Sequence, residues 1–102
     1  MGRQGHRISL QVPITGNSQS GNFPVNLGIV DQIIVTSDTS PQTITLELIN
    51  EKGDILLGPK DLQLPDNTIR PELFPIGVMT ARITNALPTS GTVTLVALVE
   101  EK

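Results

Sequence analysis

Val, Ile and Thr fill 30 of the 102 positions, and Ala fills only 3. That bias constrains the fold more than any other feature of the chain. Side chains branched at Cβ lose rotamer freedom on a helix and pack well on a pleated surface. Nine Gly and eight Pro punctuate the sequence, about one every six residues, in the manner of turns in an all-β sandwich or barrel. No long stretch combines helical periodicity with good helix formers. Apolar runs such as Ile33-Ile34-Val35 are too short for a transmembrane helix. Met1 to Arg7 lacks the apolar segment of a signal peptide, and His6 stands where the myristoylation pattern needs Ser or Thr. The chain reads as a complete product made in the cytoplasm.

Ile8, Leu10, Val12 and Ile14 alternate with Ser9, Gln11, Pro13 and Thr15, which predicts a half-buried first strand. Pro13 cannot donate to a ladder, so this strand belongs at an edge or carries a bulge. Residues 16–22 read as a polar loop, and Phe23, Val25 and Leu27 as a short second strand. Ile29 to Thr36 is apolar on both faces at its centre, which predicts a central strand. After a turn cluster from Ser37 to Gln42, Thr43 to Ile49 sets Ile44, Leu46 and Leu48 on one face. Asn50-Glu51-Lys52-Gly53-Asp54 predicts a type I turn with Gly53 in the left-handed region, closing a hairpin onto Ile55 to Leu57.

Residues 58–77 are less regular. Leu62 and Leu64 alternate with Asp61 and Gln63, and Asp66-Asn67 reads as a turn. Pro71 and Pro75 bar a central strand, leaving Leu73, Phe74 and Ile76 to cap one end of the domain. Val78 to Asn85 and Thr92 to Glu100 read as a closing hairpin across Leu87-Pro88-Thr89-Ser90-Gly91. The last strand turns Val93, Leu95, Ala97 and Val99 inward. Its other face shows Thr94, Val96 and Leu98, so it too is central or covered.

The expectation is a polar basic arm at residues 1–7 and a single domain at 8–102. Seven or eight strands predict an all-β, two-sheet antiparallel β-sandwich, either a jelly roll or an immunoglobulin-like Greek key. The Cys and Trp of immunoglobulin domains are missing, which favours the jelly roll. Leu10, Val12, Ile33, Val35, Leu46, Leu48, Ile83, Leu95 and Ala97 form the expected core.

Composition narrows the chemistry. With no Cys there is neither a disulfide nor a thiolate metal site. The single His, His6, lies in the polar arm, where nothing holds it as a general base. The ten acids are scattered, mostly in turns, and none is flanked by aromatic residues that would line a sugar subsite. Asp31 with Asp38, or Asp61 with Asp66, are the pairs that calcium would use, but neither follows an EF-hand pattern. No phosphate-binding Gly loop occurs. With two Phe, no Tyr or Trp and a net charge of −3, the chain does not look built for nucleic acid. A lectin would have to work by hydrogen bonding alone. The expectation is a non-enzymatic protein with no cofactor and no metal.

Charge is unevenly placed. Residues 1–30 carry Arg3 and Arg7 and no acid, whereas residues 31–102 carry ten acids against five Lys or Arg. A basic arm on an acidic body is a docking device for an acidic partner surface. Arg3, His6 and Arg7 are the candidate partner-binding residues, with Leu73 and Phe74 supplying apolar contact.

The stretch Glu47-Leu48-Ile49-Asn50-Glu51-Lys52-Gly53-Asp54-Ile55 and the closing Ala81 to Ala86 and Ser90 to Leu95 segments resemble, in style, small β-sandwich structural proteins of tailed bacteriophage virions, the decoration or cement and head-fibre type. No functional residue carries over from that family. The resemblance implies a virion protein, made in the host cytoplasm, that binds the outer capsid surface through protein–protein contacts, often as a trimer, with no nucleic acid or membrane partner. The alternative is a receptor- or glycan-binding sandwich of a fibre or adhesin.

Overall fold

A computed structural model describes residues 5–23, 29–64, 67–71 and 77–100, with the backbone alone at Gly5 and His6. The strands are β1 (Gly5–Pro13), β2 (Ser18–Asn22), β3 (Ile29–Ser37), β4 (Gln42–Ile49), β5 (Ile55–Leu64), β6 (Asn67–Ile69), β7 (Thr80–Leu87) and β8 (Thr92–Glu100). They form two four-stranded sheets, sheet A in the order β1-β8-β3-β6 and sheet B in the order β2-β7-β4-β5. The antiparallel pairs β1 with β8, β2 with β7, β3 with β6 and β4 with β5 nest inside one another. They make one ribbon whose tip is the β4–β5 turn. Rolling that ribbon lays β3 on β8 and β4 on β7. This is the jelly roll, one of the two expected architectures.

Of the sequential connections, only β4 to β5 stays within a sheet. The expected closing hairpin is therefore corrected: β7 and β8 lie in opposite sheets, and residues 88–91 cross between them. Both hydrogen-bonding edges of β8 are already taken, by β1 and β3. The β4–β5 hairpin is as expected. Asn50 N–H donates to the Asp54 carbonyl at 2.9 Å and Gly53 N–H to the Asn50 carbonyl at 3.0 Å, with Gly53 at φ 92°.

The core lies between the sheets. Ile8, Val12, Ile33, Val35, Val93, Leu95, Ala97 and Val99 from sheet A meet Ile44, Leu46, Leu48, Leu62, Leu64, Ala81 and Ile83 from sheet B, with Phe23 and Met79 beside them. Burying one such large side chain contributes about 1.5–3 kcal/mol. Of the expected core residues, Leu10 is the exception, being only partly buried against the cluster. It sits where β1 and β2 close one side of the sandwich. A Cβ at Gly21 would come within 3.2 Å of both Leu10 and Val12, so the backbone of β2 itself covers these side chains.

Several boundaries move. β1 begins at Gly5, with Gly5, His6 and Arg7 in register with Glu100, Val99 and Leu98. The expected arm thus gives up residues 5–7 to the sheet, because the end of β8 presents backbone groups that need partners. Residues 16–22, expected as a loop, contain β2. Its side chains are polar, but its backbone pairs with β7, and Gln19 Nε2 donates to the Ile83 carbonyl at 3.0 Å. β5 runs through Gly58 and Pro59 rather than stopping at Leu57, which an edge strand tolerates. Asn67 starts β6 where a turn was expected. Pro13 ends an edge strand, and β3 and β8 are central, as their sequences imply.

Candidate functional site

Residues opposed across a ladder share a face of the sheet. On the outer face of sheet A, Ser9, Val96, Ile34 and Thr68 make one row, and Arg7, Leu98 and Gln32 the next. Ile34, Val96 and Leu98 are half-buried there, away from the core, and Arg7 is exposed beside Leu98. The register of β3 against β8 skips Asp31, which keeps Val30 and Ile33 both inside and leaves Asp31 exposed on the opposite flank. The face is an apolar strip with a cation on one side and a carboxylate on the other.

The outer face of sheet B is polar. Glu47 and Arg82 are register partners, with Arg82 Nη2 2.8 Å and Nε 2.9 Å from Glu47 Oε1. Further along, the register passes from Thr45 opposite Thr84 to Thr43 opposite Leu87, so β7 carries one extra residue. Asn85 occupies this bulge at φ 55°, a left-handed conformation that Asn tolerates better than most residues. Its N–H donates to the Asn17 carbonyl at 2.9 Å. Its Nδ2 donates to Thr45 Oγ1 at 3.4 Å, and Thr45 Oγ1 donates to Asp61 Oδ1 at 2.8 Å. An open groove of about 610 Å³ is lined by Thr43, Ile44, Thr45, Asp61, Leu62, Gln63, Asn67 and Asn85. Leu87, 65% exposed, is the register partner of Thr43, one of the lining residues.

Of the residues expected to bind a partner, Arg7 falls on the sheet A face. Arg3, Leu73, Phe74 and the His6 side chain lie outside the described residues. The candidate calcium pair of Asp31 with Asp38 does not come together in the fold. Asp31 lies near the start of β3 and Asp38 just past its end, seven residues apart, or about 23 Å at 3.3 Å per residue. Of the other candidate pair, Asp61 accepts from Thr45 Oγ1 and Asp66 lies outside the described residues. No group of three or more His, Asp or Glu able to hold a metal occurs among the described residues. Among the described residues no helix is long and apolar enough to cross a membrane. No local signal in the sequence marks the groove residues. Alternation puts Thr43, Thr45, Asp61 and Gln63 on outward positions, but nothing local says that these strands pair or that Asn85 is bulged.

The fold defines the class: among the described residues, eight strands in two sheets make a jelly roll. No protein-family model matches the chain, and no curated protein matches its sequence. Solved structures do share its fold. The prophage-derived protein YomS of SPBc2 superposes at TM-score 0.51 and 11% identity, over 96% of this chain and 96% of that one. The Drosophila NLP core, a structure described for pentamer formation and histone binding, superposes at TM-score 0.50 and 7% identity, over 97% of this chain and 99% of that one. At such identities the likeness is one of fold.

Proposed function

We propose that the protein is a non-enzymatic structural component of a virion, a decoration protein that seats the outer face of sheet A on the capsid. The observation that carries this reading is the strip formed by Ile34, Val96 and Leu98 on the two central strands of that sheet. An antiparallel sheet facing water alternates cleanly between apolar and polar sides, and this one does not. An apolar strip with polar margins suits contact with another protein. Arg7 beside it offers a guanidinium fork to carboxylates of the partner. Arg3, His6, Leu73 and Phe74 remain in the proposal as contacts expected from sequence. The full-length likeness to a prophage-derived protein supports a phage setting. Trimeric association on the shell is part of the same proposal, and neither nucleic acid nor membrane is needed for it.

The test is co-sedimentation with capsid shells stripped of the protein. The wild-type chain should bind. Leu98→Asp should bind none while keeping the wild-type melting temperature, and Arg7→Glu should bind weakly with a flattened salt dependence. A folded Leu98→Asp protein that binds as tightly as wild type removes this face from the contact. A wild-type chain that ignores shells but binds cells makes the protein an adhesin.

A further inference from the structure

We infer that the groove on the outer face of sheet B is a saccharide-binding site that takes a pair of adjacent sugar hydroxyls between Asp61 and Asn85. A sugar hydroxyl is both donor and acceptor. A carboxylate accepts from two neighbouring hydroxyls, and a side-chain amide donates to one and accepts from another. Asp61, Gln63, Asn67 and Asn85 bring one carboxylate and three amides to the same groove, together with the hydroxyls of Thr43 and Thr45. Its volume, about 610 Å³, falls in the range of small-molecule sites.

The arrangement is preorganised. Thr45 Oγ1 accepts from Asn85 Nδ2 and donates to Asp61 Oδ1, which ties the two side chains together and leaves Asp61 its second carboxylate oxygen for a ligand. Side chains fixed in this way lose little further freedom on binding. The bulge is a second, independent sign. Ile83 and Ala86 are both buried, so the extra residue puts two consecutive side chains, Thr84 and Asn85, outside the core. Bulges re-aim side chains next to functional sites, and a left-handed non-Gly residue is a local strain that the surroundings must hold. The Asn17 carbonyl holds it.

Leu87 offers what the polar groups do not. A pyranose has apolar C–H faces as well as a hydroxyl edge, and the exposed Leu87 is the register partner of Thr43, which lines the groove. With no Trp or Tyr in the chain, a single site is weak. On a shell many copies would raise the effective affinity. That one consequence rests on the decoration reading, under which docking through sheet A leaves sheet B facing outward. The site itself does not depend on it.

The experiment uses the isolated, isotopically labelled chain, titrated in nuclear magnetic resonance with the methyl glycosides of mannose, galactose and N-acetylglucosamine, after a glycan array has widened the choice. At least one sugar should give saturable shifts at Thr43, Thr45, Asp61, Gln63, Asn67 and Asn85, in the millimolar range. Asp61→Asn should weaken it about tenfold or more, the scale of a hydrogen bond to a charged group, and Asn85→Gly, compatible with the left-handed backbone, about threefold or more, the scale of a neutral one. Both should keep the wild-type melting temperature and shell binding. No saturable shift at these residues with any sugar, or affinity unchanged in both folded variants, overturns the inference. Shifts at the groove in a chain that ignores shells uphold it and sink the decoration reading alone.

Discussion

Gln42 Nε2 donates to the Pro88 carbonyl at 2.6 Å, and from there holds the crossover between the sheets. The same nitrogen reaches the Ser90 carbonyl at 3.1 Å, and Gln42 Oε1 accepts from the Ser37 hydroxyl. Gln42 is 1% exposed, a buried amide with donor and acceptor both engaged. It joins the end of β3, the start of β4 and the loop from β7 to β8. Gln42→Leu should cost about 1–3 kcal/mol, since it strands the partners of a buried amide. A thermal melt should show a midpoint lower by at least about 5 °C. A change under one degree would mean that water replaces these bonds at no cost.

Leu46 and Leu95 face the core from opposite sheets, and both are fully buried. Leu46→Ala and Leu95→Ala should each cost about 2–5 kcal/mol. Against a total stability of about 5–15 kcal/mol, either loss is severe. In urea titrations the midpoint should fall with little change in slope. Near-wild-type midpoints for both would show that these positions do not bear the packing assigned to them.

Gly58 sits at φ 98°, and a Cβ there would collide with the Leu46 carbonyl oxygen. Gly58→Ala should therefore destabilise by more than about 1 kcal/mol. Gly16 has nothing within 4 Å of a built Cβ, so Gly16→Ala is the control and should stay within about 0.5 kcal/mol of wild type. Equal melting temperatures for the two variants would contradict the geometry of β5.

The Glu47–Arg82 pair bridges β4 and β7 on the outer face, with Arg82 42% exposed and Glu47 12% exposed. A double-mutant cycle of Glu47→Gln and Arg82→Met should return a coupling of about 0.2–1 kcal/mol, shrinking as salt rises. A coupling that salt does not touch would mean the two side chains interact by packing.

By itself the sequence determined the class of fold and most of its core. Strand character in β3, β4, β7 and β8 is local, because period-two alternation of branched residues has one low-energy outcome when one face is buried. The β4–β5 turn is local too, since Asn50 to Asp54 closes on itself. Central positions for β3 and β8 were legible because both carry apolar side chains on two faces. The tertiary structure decided the rest. β2 is a strand through its pairing with β7, since Ser18, Gln19, Ser20, Gly21 and Asn22 carry no apolar pattern. β7 and β8, neighbours in sequence, part into different sheets because β1 and β3 occupy both edges of β8. The groove follows the same rule. Asp61, Thr45 and Asn85 meet across three strands, and their meeting depends on register and on one bulge. Register is fixed by contacts between residues far apart in the chain, and no short window of sequence contains them.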